Sequence, residues 1–130
     1  MIGLVVVTHA GLATSLIAAA TMITGSNDCC EAVELHVDDP ADGLVARIAE
    51  ALVKVGSDGA IIMTDMFGGT PSNAAMSFLQ EGRVEVVTGV NLPMMVDFFS
   101  RRERMTLEEL CASLLRCGRE SVIVAGEFLR

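Results

Sequence analysis

Residues 60–73 read Ala60-Ile61-Ile62-Met63-Thr64-Asp65-Met66-Phe67-Gly68-Gly69-Thr70-Pro71-Ser72-Asn73. The run from Ala60 to Met63 is continuously apolar, not alternating, so both faces of this strand have to be covered. It ends on Thr64 and a carboxylate, Asp65. Two glycines follow, and then Thr70-Pro71, a pair suited to opening a helix. A strand buried on both faces and feeding a helix is the unit of a parallel α/β sheet.

Outward from that stretch, the same signals alternate along the whole chain. Ile2 to Val7 is another apolar run and ends on Thr8-His9. A helix follows from about Gly11 to Thr24, with Leu12, Leu16, Ala19, Ala20 and Ile23 on one face and Gly25 as its stop. Ala32 to His36 reads as a strand. Asp39-Pro40 reads as an N-cap and first-turn proline, before a helix with the stripe Leu44, Val45, Ile48, Leu52, Val55. Beyond Asn73, the third helix carries Ala74, Ala75, Phe78 and Leu79, and Val84 to Val87 forms a fourth strand. Asn91 is placed to cap a short helix holding Met94, Met95, Phe98 and Phe99. Arg101, Arg102 and Arg104 read as its solvated end. Thr106 and Glu109 have capping-box spacing, and Leu107, Leu110, Cys111, Leu114 and Leu115 face inward after them. Ser121 to Ala125 reads as a fifth strand.

This pattern predicts a single domain, residues 1–130, with an α/β doubly wound fold. The sheet is mainly parallel, in the order 2-1-3-4, with helices on both faces. In that order the chain reverses between the first and third strands, and ligands bind in the crevice at such a point. Those strands end on His9 and Asp65, so the topology brings together two side chains far apart in sequence.

Composition narrows the function classes. The chain is 52% hydrophobic and 20% charged, which excludes disorder. No apolar run is long enough to span a bilayer, and the first strand lacks the basic flank and cleavage site of a signal peptide, so a cytoplasmic location without membrane insertion is expected. The net charge of −8 argues against nucleic acid and suits a basic protein partner. The four cysteines include no C-x-x-C pair and read as reduced, mostly buried thiols. With two histidines and no H-E-x-x-H, no metal is expected. The glycine loop is neither a Walker A motif nor G-x-G-x-x-G, so no nucleotide cofactor is expected, and no G-x-S-x-G elbow supports an esterase.

What remains is a nucleophilic or general-base histidine. Asp65 is suited to accept the proton of the ring nitrogen that does not attack, which fixes tautomer and ring plane. Gly68 and Gly69 allow close backbone approach, the helix start points free N–H groups outward, and Thr70 and Ser72 add hydroxyls. Together they make a cradle for a phosphoryl group on His9. His36 has no such partner in sight and reads as a surface residue.

Val7-Thr8-His9, the segment Thr64 to Asn73 and Thr88-Gly89-Val90-Asn91-Leu92-Pro93-Met94 resemble the IIA component of mannose-type (mannose/fructose/sorbose) sugar phosphotransferase systems. The likeness runs over essentially the whole chain and includes Gly118-Arg119. It implies a phosphotransferase in which His9 accepts a phosphoryl group from the phosphocarrier HPr and passes it to a histidine of a IIB component. Asp65 would be the orienting acid, and Thr70 and Ser72 would contact the phosphoryl group. The resemblance also implies a homodimer whose last strand crosses to the partner, and an apolar last strand with an exposed edge needs such cover on physical grounds. The family usually has glycine after the histidine; here Ala10 stands there, followed by Gly11. Because the chain stops at Arg130, the IIB component is expected to be a separate protein or absent. Three other roles remain open: a regulatory module acting through its phosphorylation state, a phosphotransfer subunit for a dihydroxyacetone kinase, and a flavodoxin-like binder of a small ligand with no transfer at all. The Phe67-Gly68-Gly69-Thr70-Pro71 loop favours the mannose type over the kinase subunit.

Overall fold

A computed structural model describes residues 1–130. The elements are β1 (Gly3–His9), α1 (Leu12–Thr24), β2 (Cys30–Leu35), α2 (Ala41–Val55), β3 (Ala60–Thr64), α3 (Thr70–Met76), β4 (Val84–Thr88), α4 (Leu92–Arg101), α5 (Leu107–Glu120) and α6 (Ala125–Phe128). The four strands form one parallel sheet in the order β2-β1-β3-β4, as the alternation predicts. β1 and β3 are buried on both faces, apart from His9 at the tip of β1.

The sheet separates two cores. On one face Leu4, Val6, Ile61 and Met63 pack with Met94, Met95, Phe98, Leu110 and Leu114 of α4 and α5. On the other, Val5, Val7 and Ile62 pack with Leu44, Ile48, Ala51 and Val55 of α2 and with Ala74 and Ala75 of α3. Even and odd positions of a strand serve opposite layers, which is why the central strands cannot alternate in polarity.

Helix ends follow side-chain chemistry. Asn91 Oδ1 accepts from the Met94 N–H at 3.0 Å. Thr106 and Glu109 form the full capping box on α5. Gly25 closes α1 in the left-handed region at φ 78°. The N-terminus of α1 is served from β1: the Ala13 N–H donates to Thr8 Oγ1 at 2.8 Å.

Several expectations are corrected. The fifth strand is absent. Residues 122–124 are irregular and exposed, followed by the short α6, because a strand needs a ladder partner and within one chain this segment meets none. β2 starts two residues early and ends before His36. Asp39 does not cap α2; its carboxylate accepts the His36 backbone N–H at 2.8 Å, and Pro40 takes the cap position. On α1 the buried positions are Ala13 and Ala20, with Leu16 and Ile17 packed beside them, while Leu12 and Ile23 are exposed. That helix is apolar on nearly every side, so periodicity could not choose its face. Val45, Leu79 and Leu115 are likewise exposed. Arg102 is not solvated. It is only 4% exposed, with its guanidinium 5.4 Å and 5.2 Å from the Phe98 and Phe99 ring centroids, a cation–π arrangement that charge counting does not reveal. All four cysteines are free, but Cys29 is exposed and the other three are half-buried. Burial pushes the Cys30 thiol up to about 12 and Cys111 to about 11, which favours the protonated thiol over the thiolate.

Candidate functional site

β1 and β3 are adjacent and parallel, with Val7 opposite Thr64. β3 leaves the sheet at that pair, while β1 continues two residues further along β2. His9 ends β1, and Asp65 is the first residue after β3. The ladder thereby sets the distance between their backbones, and the side chains meet. His9 Nδ1 lies 2.8 Å from Asp65 Oδ2, and the His9 backbone N–H donates to the same oxygen at 3.0 Å. Asp65 Oδ1 accepts from the Met66 N–H at 3.1 Å.

A carboxylate can only accept, so the proton of the His9 ring sits on Nδ1 and Nε2 presents its lone pair. Burial pushes the Asp65 carboxyl up, but the hydrogen bonds from the His9 backbone and ring outweigh it, leaving the group below the ordinary carboxylate range. The acid is thus held ionised, sheltered at 13% exposure, while the histidine side chain is 48% exposed. One group is fixed and the other is open to a partner.

The glycine loop closes over the same ring. A Cβ on Gly69 would stand 3.2 Å from His9 Cε1 and 3.8 Å from Nε2, so the missing side chain lets backbone lie against the imidazole. Gly68 adopts φ 86°, a left-handed turn that returns the chain toward α3. Gly69 takes the cap position, Thr70 is exposed in the first turn, and Pro71 removes one donor that would have had no partner. Ser72 is fully buried, and its hydroxyl has no hydrogen-bond partner. His9, Asp65 and Gly69 therefore meet directly. Thr70 is open to the solvent, and Ser72 is an unsatisfied donor beneath the first turn of α3.

Ala10 stands where the backbone needs freedom. Its φ is 48°, a left-handed conformation that L-residues avoid, and its N–H donates to Leu35 O at 2.8 Å.

The expectation that His36 lacks a partner is wrong. Its Nε2 is 3.1 Å from Glu34 Oε1, and Glu34 Oε2 accepts from Thr14 Oγ1 at 2.6 Å. Glu34 lies in β2 and His36 just beyond its end, and their i, i+2 spacing along an extended segment is the signal that could have found the pair.

A family model described as "PTS system fructose IIA component", EIIA-man, matches residues 3–115. The chain is 30% identical over 131 aligned positions to the fructose-specific EIIA component of the PTS system of Bacillus subtilis, covering 99% of this chain and 90% of that protein. It is 30% identical over 124 positions to the mannose-specific EIIAB component of Escherichia coli, covering 93% of this chain and 38% of that longer protein. Among solved structures, the mannose/sorbose-specific IIA subunit from Enterococcus faecalis superposes with a TM-score of 0.85 at 27% identity, covering 95% of this chain and 93% of that one. No helix is long and apolar enough to cross a membrane.

Proposed function

The chain belongs to the EIIA-man family of sugar phosphotransferase-system components, and from that premise we propose that it is a cytoplasmic phosphohistidine carrier. His9 Nε2 attacks the phosphorus of phospho-HPr and releases the HPr imidazole. The resulting phospho-His9 then gives the group to a histidine of a IIB component. One bond to phosphorus forms as another breaks in each step, and the donor is already activated, so positioning and charge stabilisation are the protein's tasks.

The single observation that carries this reading is the 2.8 Å contact between His9 Nδ1 and Asp65 Oδ2 beneath a half-exposed ring. It supplies a fixed tautomer, a free Nε2 and a counter-charge for the positive ring formed on attack. Gly68, Gly69 and the exposed Thr70 support a phosphoryl cradle at the start of α3, while the Ser72 hydroxyl, fully buried behind them, is reached only if that first turn shifts.

The same reading includes a homodimer completed by the final segment. Val122, Ile123 and Val124 are 79%, 55% and 65% exposed. Along the outer strand β4 runs a cavity of about 310 Å³ lined by Glu85, Val86, Val87, Thr88, Cys111 and Leu115. An apolar extended segment and an unpaired strand edge satisfy each other when they come from two copies.

The experiment is incubation with enzyme I, HPr and phosphoenolpyruvate, followed by intact-mass measurement of wild type and His9→Ala. Wild type gains one acid-labile phosphoryl group and the variant gains none. A variant that is still labelled refutes the assignment.

A further inference from the structure

A second histidine–carboxylate pair stands beside the first. A cavity of about 290 Å³ is lined by His9, Ala10, Leu35, His36 and Val37. Strand register sets Leu35 next to His9, so His36 follows immediately at the same end of the sheet. The Thr14 hydroxyl holds the Glu34 carboxyl below its usual range, burial opposes this, and the neighbouring His36 helps. Glu34 is therefore an ionised acceptor, and the proton on His36 Nε2 points at it across 3.1 Å. Nδ1 of His36 is left uncommitted on a ring that is 56% exposed.

The charges around this cavity make the arrangement informative. Asp65 lies behind His9, and Glu34 lies behind His36. Asp39 holds the His36 backbone N–H, and Asp38 precedes it in the same exposed segment. From α2, Arg47 is already engaged, donating to Glu34 O at 2.6 Å and lying 3.4 Å from Asp39 Oδ2. From α1, only the neutral Thr14 reaches Glu34. A phosphoryl group on His9 brings a dianion into these acidic surroundings, and no lysine or arginine lines the cavity. Besides His9 itself, His36 is the one lining group that can become cationic.

We propose that His36, oriented by Glu34, contacts the phosphoryl group carried on His9 and holds it as the doubly protonated imidazolium. The inference rests on His9 being the phosphoacceptor. A proton taken up on Nδ1 turns that nitrogen from an acceptor, which would repel the phosphoryl oxygens, into a donor that attracts them. No bond to phosphorus is made or broken at His36.

The test uses wild type, His36→Asn and His36→Arg with two donors: phospho-HPr and the small-molecule donor phosphoramidate. Initial rates are read by intact mass at pH values from about 6 to about 8, the range in which histidine exchanges its proton. Melting temperatures confirm that the exposed-site variants are folded. His36→Asn is expected to be slower than wild type with both donors, by about tenfold at the acid end and by less at the alkaline end, for one screened cation near a dianion. His36→Arg, a permanent cation, restores the rate and keeps its advantage over His36→Asn at every pH. Equal rates for wild type and His36→Asn with phosphoramidate overturn the proposal, including the case in which only phospho-HPr is affected, since that marks a contact with the partner protein. Failure of His36→Arg to restore the rate also overturns it. If wild type itself is not labelled at His9, the carrier reading fails instead, a result distinct from all of these.

Discussion

Replacing Asp65 by Asn isolates the charge of the orienting acid from its shape. The Asn oxygen can still accept from the His9 backbone N–H and from Nδ1, which now sit 3.0 Å and 2.8 Å from one carboxylate oxygen. What disappears is the negative charge facing the ring as Nε2 attacks. A unit charge about 4 Å from the forming imidazolium is worth about 1 kcal/mol in water and about 4 kcal/mol at an effective dielectric of 20. With Asp65 at 13% exposure and His9 at 48%, the site lies between those limits. Each 1.4 kcal/mol is about tenfold, so the initial rate of labelling by phospho-HPr should fall by about 5-fold to 10³-fold. Stability near neutrality should change by only about 1 kcal/mol, because both bonds from His9 are kept and only the one from the Met66 N–H to the other oxygen is lost. The acid limb should also change. The carboxyl is depressed in the folded state, so its contribution is present above its unfolded value and is lost as pH falls through the folded one. Urea midpoints measured from neutral pH down into the acid range should therefore fall less steeply for Asp65→Asn than for wild type. A folded variant labelled within about twofold of the wild-type rate would refute the role given to the carboxylate.

Gly69→Ala places a methyl 3.2 Å from His9 Cε1 and should slow labelling about tenfold with little change in melting temperature, since the backbone there is extended and suits any residue. Ala10→Gly relieves a left-handed backbone at φ 48° and should raise stability by about 0.5–1 kcal/mol in urea unfolding, net of the added freedom of the unfolded chain. Gly3→Ala would drive a Cβ to 2.1 Å from the Val55 carbonyl oxygen, backbone that cannot step aside, and should cost about 2–3 kcal/mol by the same measurement. Ile123→Asp puts a charge into the exposed apolar tail and should shift the molecular mass in light scattering from dimer to monomer, while leaving β1 to β4 intact by circular dichroism.

Much of the fold was legible because its signals are local. The unbroken apolar runs at Leu4 to Val7 and Ala60 to Met63 announce burial on both faces, and Asn91, Thr106 and Gly25 mark helix ends through bonds to neighbours in sequence. The failures share a cause as well. Periodicity points Leu12 and Ile23 inward, but their helix has apolar residues all round, and its buried face depends on what packs against it. Val122 to Val124 have the composition of a strand, but strand formation depends on a partner edge. Arg102 reads as a surface charge until Phe98 and Phe99 are seen to flank it.

Periodicity and short-range capping carry the α/β class, and the strand order common to such folds, taken as a prior, brings His9 to Asp65, as the structure shows. Tertiary packing alone fixes that Gly69 lies against the His9 ring, that Ser72 is sealed beneath α3, and that His36, paired with Glu34, lines the same cavity as His9. Those are matters of ångströms between segments distant along the chain, set by strand register and close packing, and no local pattern encodes them.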